Sequence, residues 1–312
     1  MPDDYFSPWI WAGFVLLVVA FLALDLGLFH RKPRPVSFKQ ALAWSVVWFL
    51  VAMAFAATLA IWRGPEQSLE FVAGYLVEYS LSLDNVFAIS VIFTYFAVPA
   101  ELQHRVLFWG ILGALVMRGL MIGAGVELLD NFHWLFYAMG AFLLWTGIKW
   151  GFTKDALIEP EKNNVVRLAR KFFPVTSDFH GQKFFASVAG RRALTPLALA
   201  LITVEVTDVL FATDSIPAIF AVTQNAFIVF TSNICAILGL RSLYFVLAGA
   251  MHLFRFLKTG LAVVLVFIGA KMLASDWFRV PTAVTLVVVA AIIAISILVS
   301  ILKPAAPDAG KK

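Results

Sequence analysis

The sequence predicts an all-α, polytopic membrane protein with about nine transmembrane helices, in which helices 3–5 and helices 6–8 form two inverted three-helix repeats. Three observations lead there. Of the 312 residues, 62% are apolar and 14% charged, and the mean hydropathy is +0.89, which is more apolar surface than a soluble domain can hide. Nine apolar runs have spanning length, near 9–29, 39–61, 67–96, 102–125, 131–151, 195–221, 226–250, 257–275 and 281–302. Finally, one acidic pattern occurs twice inside such runs. Glu-Tyr-Ser-Leu-Ser-Leu-Asp-Asn from Glu78 matches Asp-Val-Leu-Phe-Ala-Thr-Asp-Ser from Asp208, placing Glu78 on Asp208, Asp84 on Asp214 and Asn85 on Ser215.

The chain opens Met-Pro-Asp-Asp, acidic where a signal peptide is basic, so the first run is expected to stay as a membrane helix. Basic residues give the orientation. Eighteen of the 24 Lys and Arg residues fall on one side of the runs and two, Arg63 and Arg279, on the other. Four more, Arg118, Lys149, Arg241 and Lys271, lie within helices or at their ends. This bias places the N-terminus outside and the C-terminus in the cytoplasm, across a bacterial inner membrane. The net charge of +5 is therefore a topology signal, and no nucleic-acid partner is expected.

Residues 1–66 are read as an N-terminal two-helix segment, 67–152 as the first repeat and 153–194 as a cytoplasmic insertion. Residues 195–276 form the second repeat, and 277–312 a last helix and tail. In the insertion, Pro160 to Phe173 has the spacing of a short amphipathic helix, and Lys183 to Thr195 reads as a β-hairpin turning at Ala189-Gly190. The repeat extends beyond the acids. Met-Arg118-Gly-Leu matches Leu-Arg241-Ser-Leu, and Gly147-Ile-Lys149 matches Gly269-Ala-Lys271. Arginine and lysine stand 31 residues apart in one copy and 30 in the other. Three crossings per copy reverse the second copy in the membrane, the plan of many secondary transporters, whose sites lie between the repeats.

A carboxylate at mid-membrane costs about 2.5–3.5 kcal/mol on insertion scales, whereas a Leu or Phe contributes only about 0.3–0.6 kcal/mol. Glu205, Asp208 and Asp214 inside one apolar run thus need compensation. Glu78, Asp84, Glu205, Asp208 and Asp214, with the Asn85 amide, are the candidate metal ligands, and Ser82, Thr213 and Ser215 supporting groups. Acids six residues apart point about 120° apart on an ideal helix, so a shared site is expected to need a local break. Pro217 would supply one by freeing the Thr213 carbonyl, and Ser80, Ser82 and Asn85 would loosen the first copy. No histidine lies near these motifs, and Cys235, the single cysteine, can form neither an internal disulfide nor a thiolate site. An all-oxygen site suits magnesium, calcium or manganese rather than zinc or copper. Arg118 and Arg241 are expected to pair with surplus carboxylates. Acids that alternate between metal and protons would couple the two fluxes. Asn233 fits either a hydrogen bond between helices or the permeation path. Asp25 reads as a structural ion-pair partner, Glu70 as interfacial. No permanently bound cofactor is expected.

Asp25-Leu-Gly-Leu-Phe-His-Arg-Lys32, Glu78 with Ser82-Leu-Asp-Asn85, Phe179-His-Gly-Gln-Lys-Phe-Phe185, and Asp208 with Asp214-Ser-Ile-Pro-Ala-Ile-Phe220 carry a likeness, as does the run from Phe227 through Asn233 and Arg241 to Leu247. Over nearly the whole chain the sequence resembles the TerC family of bacterial integral membrane proteins. That family includes manganese exporters grouped with LysE-like transporters, and its intramembrane acids fall on Glu78, Asp84, Glu205, Asp208 and Asp214. The resemblance thus implies export of manganese. Its tellurium-resistance label is read as indirect, since an acid-lined site does not suit a tellurite anion. The alternative is an accessory membrane protein that delivers metal to other membrane or secreted proteins or assists their insertion. Enzymatic activity is not expected: the Gly-x-Gly-Asp of intramembrane aspartyl proteases is missing at Asp84 and Asp214, and no His-Glu-x-x-His occurs.

Overall fold

A computed structural model describes residues 7–29, 37–152, 167–168, 171–188, 191–248, 256–278 and 280–302. Among them run the helices α1 (Pro8–Phe29), α2 (Phe38–Arg63), α3 (Pro65–Tyr95), α4 (Ala100–Asn131) and α5 (Trp134–Phe152). After the strands β1 (Phe185–Val188) and β2 (Arg191–Leu194) come α6 (Pro196–Phe220), α7 (Ala226–Ala248), α8 (Leu257–Leu273) and α9 (Thr282–Leu302). Six of these nine helices, α2, α3, α4, α6, α7 and α9, are long and apolar enough to cross a membrane. That count is lower than the nine apolar runs of the sequence. At 17 residues α8 extends about 25 Å, a few ångströms short of the bilayer's hydrocarbon core.

Local chemistry sets the joints. Ser37 and Gln40 close a capping box at the start of α2. Gly64, at φ 98°, ends α2 and hands the chain to Pro65, the first residue of α3. A side chain would rarely adopt that backbone angle, and proline suits a helix's first turn because its missing N–H would have had no partner there. Thr195 caps α6 by accepting from the Ala198 N–H and donating to the Lys183 carbonyl at 2.9 Å, which ties the helix to the strand segment before it. The hairpin pairs Phe185 with Leu194 and Val188 with Arg191, antiparallel. Its expected turn at Ala189-Gly190 lies outside the described residues. So does most of the expected amphipathic helix at 160–173, of which Arg167, Leu168, Lys171 and Phe172 are described and helical.

The expected breaks in the acidic helices are not found. α6 stays helical from Pro196 through Pro217 to Phe220, and α3 from Pro65 to Tyr95. Pro217 withdraws one donor, but buried packing on both sides of it (Ile216, Ala218 and Ile219) keeps the helix continuous. Thr213 faces outward, its hydroxyl donating to the Leu210 carbonyl at 2.6 Å.

Packing follows small residues rather than chain order. α3 packs on α7 and α4 on α6, while α5 lies along α8. A Cβ built on Gly147 would meet the Ala262 carbonyl at 2.8 Å, and one on Gly269 would meet the Gly140 carbonyl at 2.7 Å. Rising along α5 from 140 to 147 means falling along α8 from 269 to 262, so the two helices are antiparallel and touch through backbone. α3 and α6 are antiparallel as well: Gly74 approaches Ile219, and Asn85 approaches Asp208. α4 and α6 run the same way, with Gly110 beside Val204 and Gly125 beside Phe220. Where lipid removes the hydrophobic drive between helices, close backbone approach of this kind holds them together. Gly269→Val should therefore destabilise the purified protein in detergent by about 1–3 kcal/mol, the usual cost of overpacking. Gly123→Ala, which meets open space, should leave the melting temperature unchanged.

Candidate functional site

Arg118 on α4 is fully buried, and three helices supply its partners. Its Nε and Nη2 donate to the two carboxylate oxygens of Asp208 on α6, at 3.1 and 2.9 Å. Its Nη1 donates to Glu78 Oε1 on α3, to Ser215 Oγ at 3.3 Å and to Asn233 Oδ1 on α7 at 3.4 Å. Ser82 donates to Glu78 Oε1 at 3.3 Å, and Asn85 Nδ2 to Asp208 Oδ1 at 3.2 Å. Glu78 and Asp208, which stand in corresponding positions of the acidic sequence pattern, thus share one guanidinium. Removing such charges from water costs several kcal/mol each, and only pairing and saturated hydrogen bonding offset it.

Two cavities flank this cluster. The first is lined by Glu78, Leu81, Asn85, Trp150, Phe211, Asp214 and Ser215. Three buried oxygens of its lining residues accept no hydrogen bond: Glu78 Oε2, Asn85 Oδ1 and Asp214 Oδ1. The second shares Asn85 and Phe211 with the first. Its lining includes Gly110, Ala114, Thr207, Asp208 and Arg241. Unpartnered buried oxygens are costly and uncommon, and a set of three around one small space is an acceptor-only environment suited to a cation.

The other expected ligands sit elsewhere. Asp84 is partly buried and lines neither cavity. The Glu205 carboxylate abuts Gly113 on α4, so close that a Cβ there would overlap it. Glu205 and Asp208 do share a face, as their spacing predicts, but that face is turned to α4 and only Asp208 reaches the arginine. Among the described residues no three Asp, Glu, His or Cys side chains stand close enough to hold a metal ion together. Asn233 acts between helices, as a fully buried acceptor. Glu70 accepts a 2.7 Å bond from Thr223, and Asp25 is helical with its side chain outside the described residues. Trp150 and Phe211 were not singled out in the sequence; both are aromatics in apolar runs, with no signal to separate them from packing residues.

A profile of the integral membrane protein TerC family matches residues 63–307. An uncharacterized membrane protein of Myxococcus xanthus, STKORF319, is 52% identical over 297 residues, covering 95% of this chain and 93% of its own length. The Alx protein of Escherichia coli strain K12, whose name proposes a membrane-bound redox modulator, is 45% identical over 305 residues, 94% of each chain. Alx of Photorhabdus laumondii is 44% identical and covers 95% of each. No solved structure matches the chain.

Proposed function

The chain belongs to the TerC family of integral membrane proteins, and on that premise we propose that it exports divalent cations, manganese foremost, from the cytoplasm by alternating access coupled to protons. The observation that carries this reading is the first cavity, where unpartnered oxygens of Glu78, Asn85 and Asp214 stand beside a guanidinium already shared by two acids. Oxygen donors of this kind favour hard dications. Choosing manganese among them rests on the family resemblance.

Alternating access is supported by the packing. Exchanging the repeats turns α3 into α6, α4 into α7 and α5 into α8. Under that exchange the contact of α3 with α7 becomes that of α6 with α4, and the Gly147–Ala262 contact becomes Gly269–Gly140. The antiparallel course of α3 and α6 supports a reading in which the repeats are inverted, with all nine helices assigned to the membrane and the N-terminus outside. A bundle of this kind can rock one repeat on the other around a fixed site. Glu205, outside the cluster, is assigned to proton coupling with Asp214. The redox name of the relatives is read as indirect, because this chain has one cysteine and it is buried.

The test is manganese flux in proteoliposomes containing the purified protein; no flux above empty vesicles would refute the reading. Flux should also rise several-fold when a pH gradient is imposed that is acidic on the side receiving manganese. Indifference to that gradient would make the protein a uniporter.

A further inference from the structure

We propose, resting on the export reading, that Arg118 is a tethered stand-in for the transported cation: it occupies the Glu78–Asp208 pair when the site is empty, and the dication binds by displacing it from Glu78 towards the second cavity.

Three features argue for this. Charge counting comes first. Glu78 and Asp214 face one cavity, and their two negative charges match a dication. Asp208 is then left for Arg118, and each of these three acids has a partner. With the dication gone, the guanidinium bridges Glu78 and Asp208, so the pair is never stripped of positive charge. Second, the bonding is divided unequally in the way a swing requires. Asp208 takes the guanidinium through two nitrogens, at 3.1 and 2.9 Å, whereas Glu78, Ser215 and Asn233 all depend on Nη1 alone. Arg118 can release Glu78 while keeping its grip on Asp208.

Third, there is somewhere to go. Helical side chains lean over the turn N-terminal to their own Cα, so an arginine at 118 covers the surface of 114 and, fully extended, of 110. Those residues are Ala114 and Gly110, and both line the second cavity together with Asp208 and Arg241. Larger residues would fill the space into which the guanidinium moves. Ser82 remains bonded to the vacated Glu78 carboxylate, and Asn85 and Ser215 line the same cavity.

The experiment compares the wild type with Arg118→Gln and Arg118→Lys in proteoliposomes. It measures manganese binding, net manganese efflux and manganese–manganese exchange. A binding site masked by an internal competitor has its apparent affinity reduced by the unmasked fraction. Arg118→Gln should therefore bind manganese roughly tenfold more tightly. It should retain exchange, which needs no reorientation of the empty carrier, and lose most net efflux, which does. Arg118→Lys keeps a positive charge but cannot bridge both acids as a fork, and should give intermediate binding with partial net efflux. If Arg118→Gln does not accumulate, Arg118→Lys carries the test by the same split between exchange and net efflux. Variants that reach the membrane but bind manganese no more tightly, or lose exchange and net efflux in equal proportion, would overturn the proposal and leave Arg118 a structural ion-pair partner. Wild-type vesicles that move no manganese would overturn the export reading and this inference with it.

Discussion

Asp214→Asn should lower manganese efflux by roughly 100-fold or more while moving the melting temperature by less than about 2 °C. The size follows from Coulomb's law: two unit charges about 4 Å apart interact by about 4 kcal/mol at an effective dielectric near 20, and each 1.4 kcal/mol is about tenfold. About 2.8 kcal/mol of that interaction, lost on neutralising one ligand of a dication, gives the predicted decrease. The small thermal change follows from the bonding. Asp214 takes no part in the Arg118 cluster, and its Oδ1 accepts no hydrogen bond that an amide would forfeit. Efflux within about threefold of wild type would remove Asp214 from the transport path.

The positions of the acids were legible because the cost of a charge in an apolar run is visible in sequence alone. The repeated spacing is visible in the sequence for a related reason: Arg118 and Arg241, Lys149 and Lys271 are expensive in the same way, so they stand out against Leu, Val and Phe. The pairing of Arg118 with the surplus acids followed. What was not legible is which acids it would choose. Glu78 and Asp208 reach Arg118, while Glu205, on the same face of α6, meets Gly113, a residue whose only relevant property is its missing side chain. The expectation that Pro217 would break α6 failed because the helix is held from outside by buried neighbours, which sequence spacing does not report. The acids are gathered instead by continuous helices packed together, with the long arm of Arg118 spanning the gap. Trp150 and Phe211 went unmarked because an aromatic lining a cavity and one packing a core are the same letter.

The same charge change, made at Asp208 instead of Asp214, should show first in stability. Asp208→Asn keeps the shape of the side chain but removes the charge opposite two nitrogens of a guanidinium with no access to solvent. Breaking one side of a buried ion pair typically costs about 3–5 kcal/mol, because the remaining charge cannot return to water. In a chain of this size the melting temperature should then fall on the order of 10 °C. Adding Arg118→Met to Asp208→Asn removes the stranded cation and should recover part of that loss, whereas two independent contributions would simply add. Glu78, still charged, keeps the recovery incomplete. A double variant that melts below the wild type by the sum of the two single effects would mean that the buried bridge between α3, α4 and α6 is not what holds these helices in register, and the arginine's place at the centre of the site would have to be given up.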